Sequence, residues 1–312
     1  MNAAITTAVL PAVEPERSHR RPLLVGYVLA IALVLVLVVY GFDYYTLDAA
    51  HRPFSSKHAV LKPSGTIGLK LGELALLLFC TIFLYPLRKR WRWLSRQGSS
   101  KNWLDFHVLA GLAAPLIVAF HSSFKFQGFA GVAFWVMTAV ALSGVLGRYV
   151  YSQIPHNLNS AELSLAELEQ QHTLLAQRLT ARGVLPTADL HSLLRLPSAA
   201  VVNRLPLMVA LVYMIMLDLL RPLRVARARR HALGWGEKLT TIGGLLRTRH
   251  QRLEQAIEAA RDQALLSKRI LFLCRAQTVF HLWHVIHRPF SYSFAALAAV
   301  HIAVVTMIGF MG

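Results

Sequence analysis

Residues 107–121 (HVLAGLAAPLIVAFH) and 287–301 (HRPFSYSFAALAAVH) decide how this chain is read. Each is an apolar run with a histidine at either end, fourteen residues apart, and no other two of the 14 histidines share that spacing. In an α-helix fourteen residues make about 3.9 turns, so both histidines of a run face nearly the same way, about 21 Å apart along the axis. That is about two-thirds of a bilayer's hydrocarbon thickness. Ionisable side chains at membrane depth are costly, and each is a candidate functional residue.

The rest of the chain places these runs in a membrane. Of 312 residues 55% are hydrophobic and 15% are charged, whereas a soluble domain averages about 25% charged. The net charge of +18 could point to nucleic acid. Arg and Lys, however, sit beside apolar segments, as the positive-inside rule describes, and no nucleic-acid-binding motif is present. Cys80 and Cys274 imply no disulfide framework. Covalent c-type haem would need Cys-x-x-Cys-His and an iron–sulfur centre a cysteine cluster; the sequence has neither.

The pattern predicts an all-α polytopic membrane helix bundle of about five spans with a cytoplasmic helical insert. Residues 1–21 form a cytoplasmic N-terminal tail, ending in a basic stretch. Residues 22–151 hold four transmembrane helices, at 22–42, about 66–86, about 103–122 and about 129–151. Pro115 is expected to kink the third. The stretch RKRWRWLSRQGSSK at 88–101 carries six Arg or Lys and no acid, which places it in the cytoplasm. Residues 152–283 form a basic, mostly helical cytoplasmic insert, with 17 Arg or Lys against 9 Asp or Glu. Within it, 160–182 and 246–276 read as amphipathic helices. Residues 205–220 are ambiguous. A short apolar run bearing Asp218 fits a buried or interfacial helix better than a sixth span. Residues 284–312 are the last transmembrane helix and carry the second histidine pair.

Two such histidine helices side by side offer four imidazoles as two facing pairs. Two facing imidazoles are what a six-coordinate b-type haem needs, since the porphyrin supplies four in-plane nitrogens. The sequence therefore predicts two haem b, with His107, His121, His287 and His301 as axial iron ligands. With five spans His107 faces His287 and His121 faces His301; with six the pairing inverts. Gly131 and Gly144 on the fourth span, thirteen apart, are candidates for close approach of a ring, with Gly111 and Gly147 nearby; generic helix packing explains them equally well. Arg148 and Arg288 are candidates for the propionates of the inner haem and Lys125 for the outer, against simple snorkelling at helix ends. His281 and His284 precede His287 at intervals of three and read as interfacial.

His-x13-His on two helices of a membrane bundle resembles the di-haem cytochromes b. The third-and-fifth-helix arrangement is similar to the transmembrane domain of ferric reductases and NADPH oxidases, and the respiratory cytochrome b uses similar paired spacing. The resemblance covers roughly 66–151 and 280–312. It implies haem ligation by the four named histidines and electron transfer across the membrane. The chain carries no dinucleotide-binding glycine fingerprint and no Pro-Glu-Trp-Tyr quinol-site motif, and the long insert matches neither family. The expected function is an electron-carrying subunit of a membrane oxidoreductase in a bacterial inner membrane, with the N-terminus cytoplasmic. Its expected partners are flavin, iron–sulfur or cytochrome c type redox subunits, quinone, and membrane lipid, with Arg221, Arg224, Arg227, Arg229 and Arg230 as a docking face. The competing reading is a haem-free transporter or assembly subunit whose histidines carry protons or bind metal.

Overall fold

The computed structural model describes residues 17–154, 187–233 and 241–308, so the amphipathic helix expected at 160–182 lies outside the described residues. Helices dominate, and there is no strand among the described residues. The elements are α1 (Arg17–Tyr45), α2 (His58–Leu61), α3 (Thr66–Arg88), α4 (Arg92–Ser95), α5 (Ser100–His121) and α6 (Gly128–Gln153). After these come α7 (Thr187–Leu194), α8 (Ala199–Arg204), α9 (Leu207–Ala232), α10 (Gln251–Leu271) and α11 (Leu273–Met307). Five helices are long and apolar enough to cross a bilayer: α1, α2 with α3, α5, α6 and α11. The chain has the helical character of an integral membrane protein.

The chain forms two compact units, residues 1–145 with 287–312, and residues 146–286. In the first, Leu37 of α1, Leu71 and Ala75 of α3, and Ala113, Ile117 and Phe120 of α5 make the core. Most of α1 remains apolar and exposed, as on a helix that faces lipid. Two buried arginines fasten the connections at either end of α5. Arg52 donates to the carbonyls of Leu47, Tyr45 and Ser123. Arg88 donates to Ser100 Oγ and to the carbonyls of Ser95 and Gly98. Each cation thereby satisfies backbone acceptors that leave the helical ladder at a turn.

In the second unit α10 buries Leu253, Ala256, Ile257, Ala260 and Ala264 at intervals of three and four, against Leu193, Leu194 and Ala228. The helix expected at 246–276 thus occupies 251–271. Past Phe272, α11 begins at Leu273, eleven residues before the expected start of the last span, and runs unbroken through Pro289 to Met307. Helix α9 is not among the five candidate spans. Its Ala210, Leu211, Met214 and Leu217 pack with Phe272, Ala276 and Val279. Asp218 Oδ2 accepts from Lys268 of α10 and from Tyr149 of α6 at 2.8 Å, and Oδ1 is ion-paired with Arg221 at 3.0 Å. An aspartate so committed inside a helical unit is the physical reason α9 behaves as part of that unit.

Arg229 does not belong to an exposed docking face. It is buried, and its Nε and Nη2 meet Glu254 at 2.8 and 2.6 Å while Nη1 donates to the carbonyls of Gly244 and Leu245. Burial alone would raise the Glu254 carboxyl, but Arg229 and the Thr248 N–H hold it below the usual carboxylate range. A depressed folded-state value stabilises the fold above the unfolded value of about 4.3 and is lost as pH falls through the folded one. Acid melts monitored by circular dichroism should therefore show stability falling below about pH 4, and Glu254→Gln should flatten that slope. An unchanged slope in the variant would assign the acid sensitivity elsewhere.

Candidate functional site

The first histidine pair is organised by α3, which runs antiparallel to α5. His107 Nδ1 lies 3.0 Å from the carbonyl oxygen of Ile82, and His121 Nδ1 lies 2.8 Å from that of Gly68. Carbonyls only accept, so in both rings the Nδ1–H is the donor, and the remaining lone pair is on Nε2. Gly68 and Ile82 are themselves fourteen residues apart. The histidine repeat on α5 is thus matched by a repeat of acceptors on α3.

Each acceptor has a local cause. Within a helix the carbonyl of residue 82 would accept from the N–H of residue 86, but residue 86 is proline and has none. His107 supplies the missing donor. At the other end Gly72 takes the place of any side chain that would block the ring. A Cβ at Gly72 would stand 2.7 Å from His121 Cε1 and 2.9 Å from Nδ1. Gly68 has a different reason, since a Cβ there would collide with the carbonyl of Lys62, where the preceding loop folds over the helix start.

The second pair lies on α11 in the same unit. His287 Nδ1 is 2.8 Å from Ser143 Oγ of α6, which also lies 2.8 Å from the carbonyl oxygen of Val140. His301 is close enough to His121 for the two rings to act on one another electrostatically. Phe294, seven residues from each histidine, meets Phe79 of α3 edge to face, with ring centroids 5.1 Å apart. Residues 122–127 turn the chain from α5 back into α6, so Ser143, fifteen residues into α6, returns to about the depth of His107. His287 therefore stands at the level of His107, and His301 at that of His121. This is the parallel arrangement of α5 and α11 that five spans require. All four imidazoles are half-buried.

The other candidates divide. Gly144 faces His287, whose Cε1 is 3.8 Å from where a Cβ would be, an ordinary contact that does not require glycine. Gly131 answers to its own loop: a Cβ there would meet the carbonyl of Phe126 at 2.3 Å. Gly147 gives room to Trp283, and Gly111 has nothing within 4 Å of a Cβ position. Arg288 and Lys125 are exposed, and Arg148 is half-buried with its guanidinium 5.9 Å from the ring centroid of Tyr151. Helix α5 continues through Pro115 from Ser100 to His121.

Four partners of the histidines were not singled out from the sequence: Gly68, Gly72, Ile82 and Ser143. Two signals were available. Gly-x3-Gly at 68–72 marks close approach in a membrane helix, and a proline near the end of an apolar run, at 86, frees a carbonyl four residues back. Ile82 and Ser143 carry no mark of their own. Among the described residues no three His, Cys, Asp or Glu side chains converge as a metal-binding group. Searches of family models, curated proteins and solved structures return no match to this chain.

Proposed function

We propose that this protein is a di-haem b-type cytochrome subunit of a membrane oxidoreductase, with His107 and His287 holding one haem and His121 and His301 the other. The observation that carries the reading is the shared tautomer of the first pair: His107 and His121 each direct Nδ1–H at a backbone carbonyl, which leaves Nε2 as the donor atom for a metal, and His287 likewise engages Ser143 through Nδ1 and leaves Nε2 unbonded to it. Metal-binding histidines are oriented in this way, by giving the second ring proton to a carbonyl or similar acceptor, which also raises ligand basicity. The residues therefore fit the group in donor chemistry, in number and in level. Haem b, when bound, supplies a one-electron iron couple.

The chain's own residues do the rest. Ile82 and Gly68 hold the rings of α5 against α3, Ser143 holds His287, and the surrounding apolar side chains exclude water. Paired imidazoles leave no open coordination position, which favours electron transfer over oxygen chemistry. Two sites about 21 Å apart along a helix let electrons reach both faces of a bilayer, which a single centre does not. Donor and acceptor are then redox subunits of flavin, iron–sulfur or cytochrome c type, or quinone. The Arg and Lys between α3 and α5 and throughout 152–283 support a bacterial inner membrane with these segments and the N-terminus cytoplasmic.

An absorption spectrum of the full chain purified in detergent tests the reading. Dithionite should produce a sharp b-type α-band, with two haems per chain. His121→Ala and His301→Ala should each convert or remove one haem and leave the other low-spin. Absence of any haem band would favour the haem-free transporter or assembly reading, in which the same hydrogen bonds serve only to join helices. Retention of the full low-spin spectrum in both variants would refute the ligand assignment.

A further inference from the structure

Among the described residues of the second unit, cationic side chains gather that the described carboxylates do not balance. Arg195, Arg221 and Arg224 line a small pocket between α9, α10 and the end of α7, floored by Leu193, Leu217 and Ala264. Arg261 and Arg269 of α10 are near enough to act on Arg221 electrostatically. Asp218 is the one carboxylate bonded to this group among the described residues, and Lys268 and Tyr149 share it. Arg269 Nε is buried with no hydrogen-bond partner, and Arg195, Arg224 and Arg261 have no carboxylate partner among the described residues. Like charges so collected repel unless an anion joins them.

Two further features say which anion. Tyr149, which donates to Asp218, lies in the last turns of α6, one of the five candidate spans, so this network adjoins the end of a membrane helix. Beside the pocket, α9 exposes an apolar strip at Met216, Leu219, Leu220 and Leu223, one helical turn after another. An acidic protein surface would use the cations but not the strip. A phospholipid uses both.

We propose that the pocket of Arg195, Arg221 and Arg224 binds the phosphate of an anionic phospholipid headgroup, whose acyl chains lie along the exposed apolar strip of α9. The guanidinium fork suits phosphate oxygens, and each basic residue near an anionic headgroup strengthens the contact. The inference is independent of what the four membrane histidines hold.

The test uses the full chain in neutral detergent, titrated with short-chain phosphatidylglycerol, with phosphatidylcholine of equal chain length, and with inorganic phosphate, reading the melting temperature. Phosphatidylglycerol should raise it and phosphatidylcholine should not. Arg195→Gln with Arg224→Gln should weaken the phosphatidylglycerol response about thirtyfold in concentration. Arg227→Gln with Arg230→Gln removes the same amount of charge from α9 outside the pocket and should leave the response near wild type. Circular dichroism of both double variants checks that they fold. An equal response to inorganic phosphate would replace the lipid with a soluble anion. Equal weakening in both double variants, or no response to phosphatidylglycerol, would overturn the pocket.

Discussion

On the proposed di-haem function, Gly72→Ala is expected to cost the protein one haem and spare the other. The new methyl group would stand 2.7 Å from His121 Cε1, closer than unbonded carbons approach, and the ring has little freedom to retreat. Its Nδ1 is held at 2.8 Å by the carbonyl of Gly68, on the same helix and one turn away. Either the ring turns and loses that bond, or α3 and α5 separate. Overpacking of this kind costs about 1–3 kcal/mol, and loss of the partner that orients a ligand typically weakens metal binding about 10–100-fold. The pair His107 and His287 lies about 21 Å away along the helices and touches neither Gly72 nor Gly68. The measurement is the haem-to-protein ratio with the reduced α-band, which should fall to about half the wild-type value. A full complement of low-spin haem in Gly72→Ala would break the link between this glycine and the His121 site.

The second large effect is an asymmetry between the two ends of a buried ion pair. Lys268 is fully buried, and Asp218 is the carboxylate that its ammonium meets. Burial disfavours the charged form of Lys268, and Asp218 opposes that by hydrogen bond and by charge. Asp218→Asn therefore leaves a buried ammonium without a counter-charge, a loss of about 3–5 kcal/mol. Lys268→Met should be much milder. Asp218 keeps Arg221 at 3.0 Å and the Tyr149 hydroxyl at 2.8 Å, and its side chain is 24% exposed, so its own charge remains answered. Adding Lys268→Met to Asp218→Asn should restore most of the stability, because the unanswered charge is then gone. Thermal or denaturant melts of the four proteins, compared as a double-mutant cycle, measure this coupling. Equal costs for the two single variants would mean that Lys268 escapes its burial or that Arg221 does not hold Asp218.

The correspondence between sequence and structure is uneven for physical reasons. Apolar runs of bilayer length are legible because a membrane span must bury its backbone in its own hydrogen bonds and its side chains in hydrocarbon. Thus α1, α3, α5 and α6 lie within a few residues of where hydropathy puts them. Helix α11 departs from this, because its first turns, Leu273 to His284, are polar enough to read as insert and yet continue the same helix. Arg229 departs for a different reason. In a run of arginines every member looks alike, and only packing against Glu254 distinguishes a buried structural cation from its exposed neighbours. Gly131 and Gly144 likewise share a spacing but not a cause, since one accommodates the backbone at Phe126 and the other faces His287.

The sequence by itself determined the helical class, the apolar segments and the two fourteen-residue histidine repeats, all of which follow from local periodicity and the cost of polar groups in lipid. Tertiary structure alone decided what His107, His121 and His287 bond, because the partners are backbone carbonyls at Ile82 and Gly68 and a serine hydroxyl at position 143. A carbonyl is present at every residue, so nothing in the chain's composition marks the two that matter until α3 is laid against α5. The same holds for the parallel order of α5 and α11, which rests on His287 meeting Ser143 and His301 lying near His121. Periodicity says which face of a helix is special; only the neighbouring helix says what that face is for.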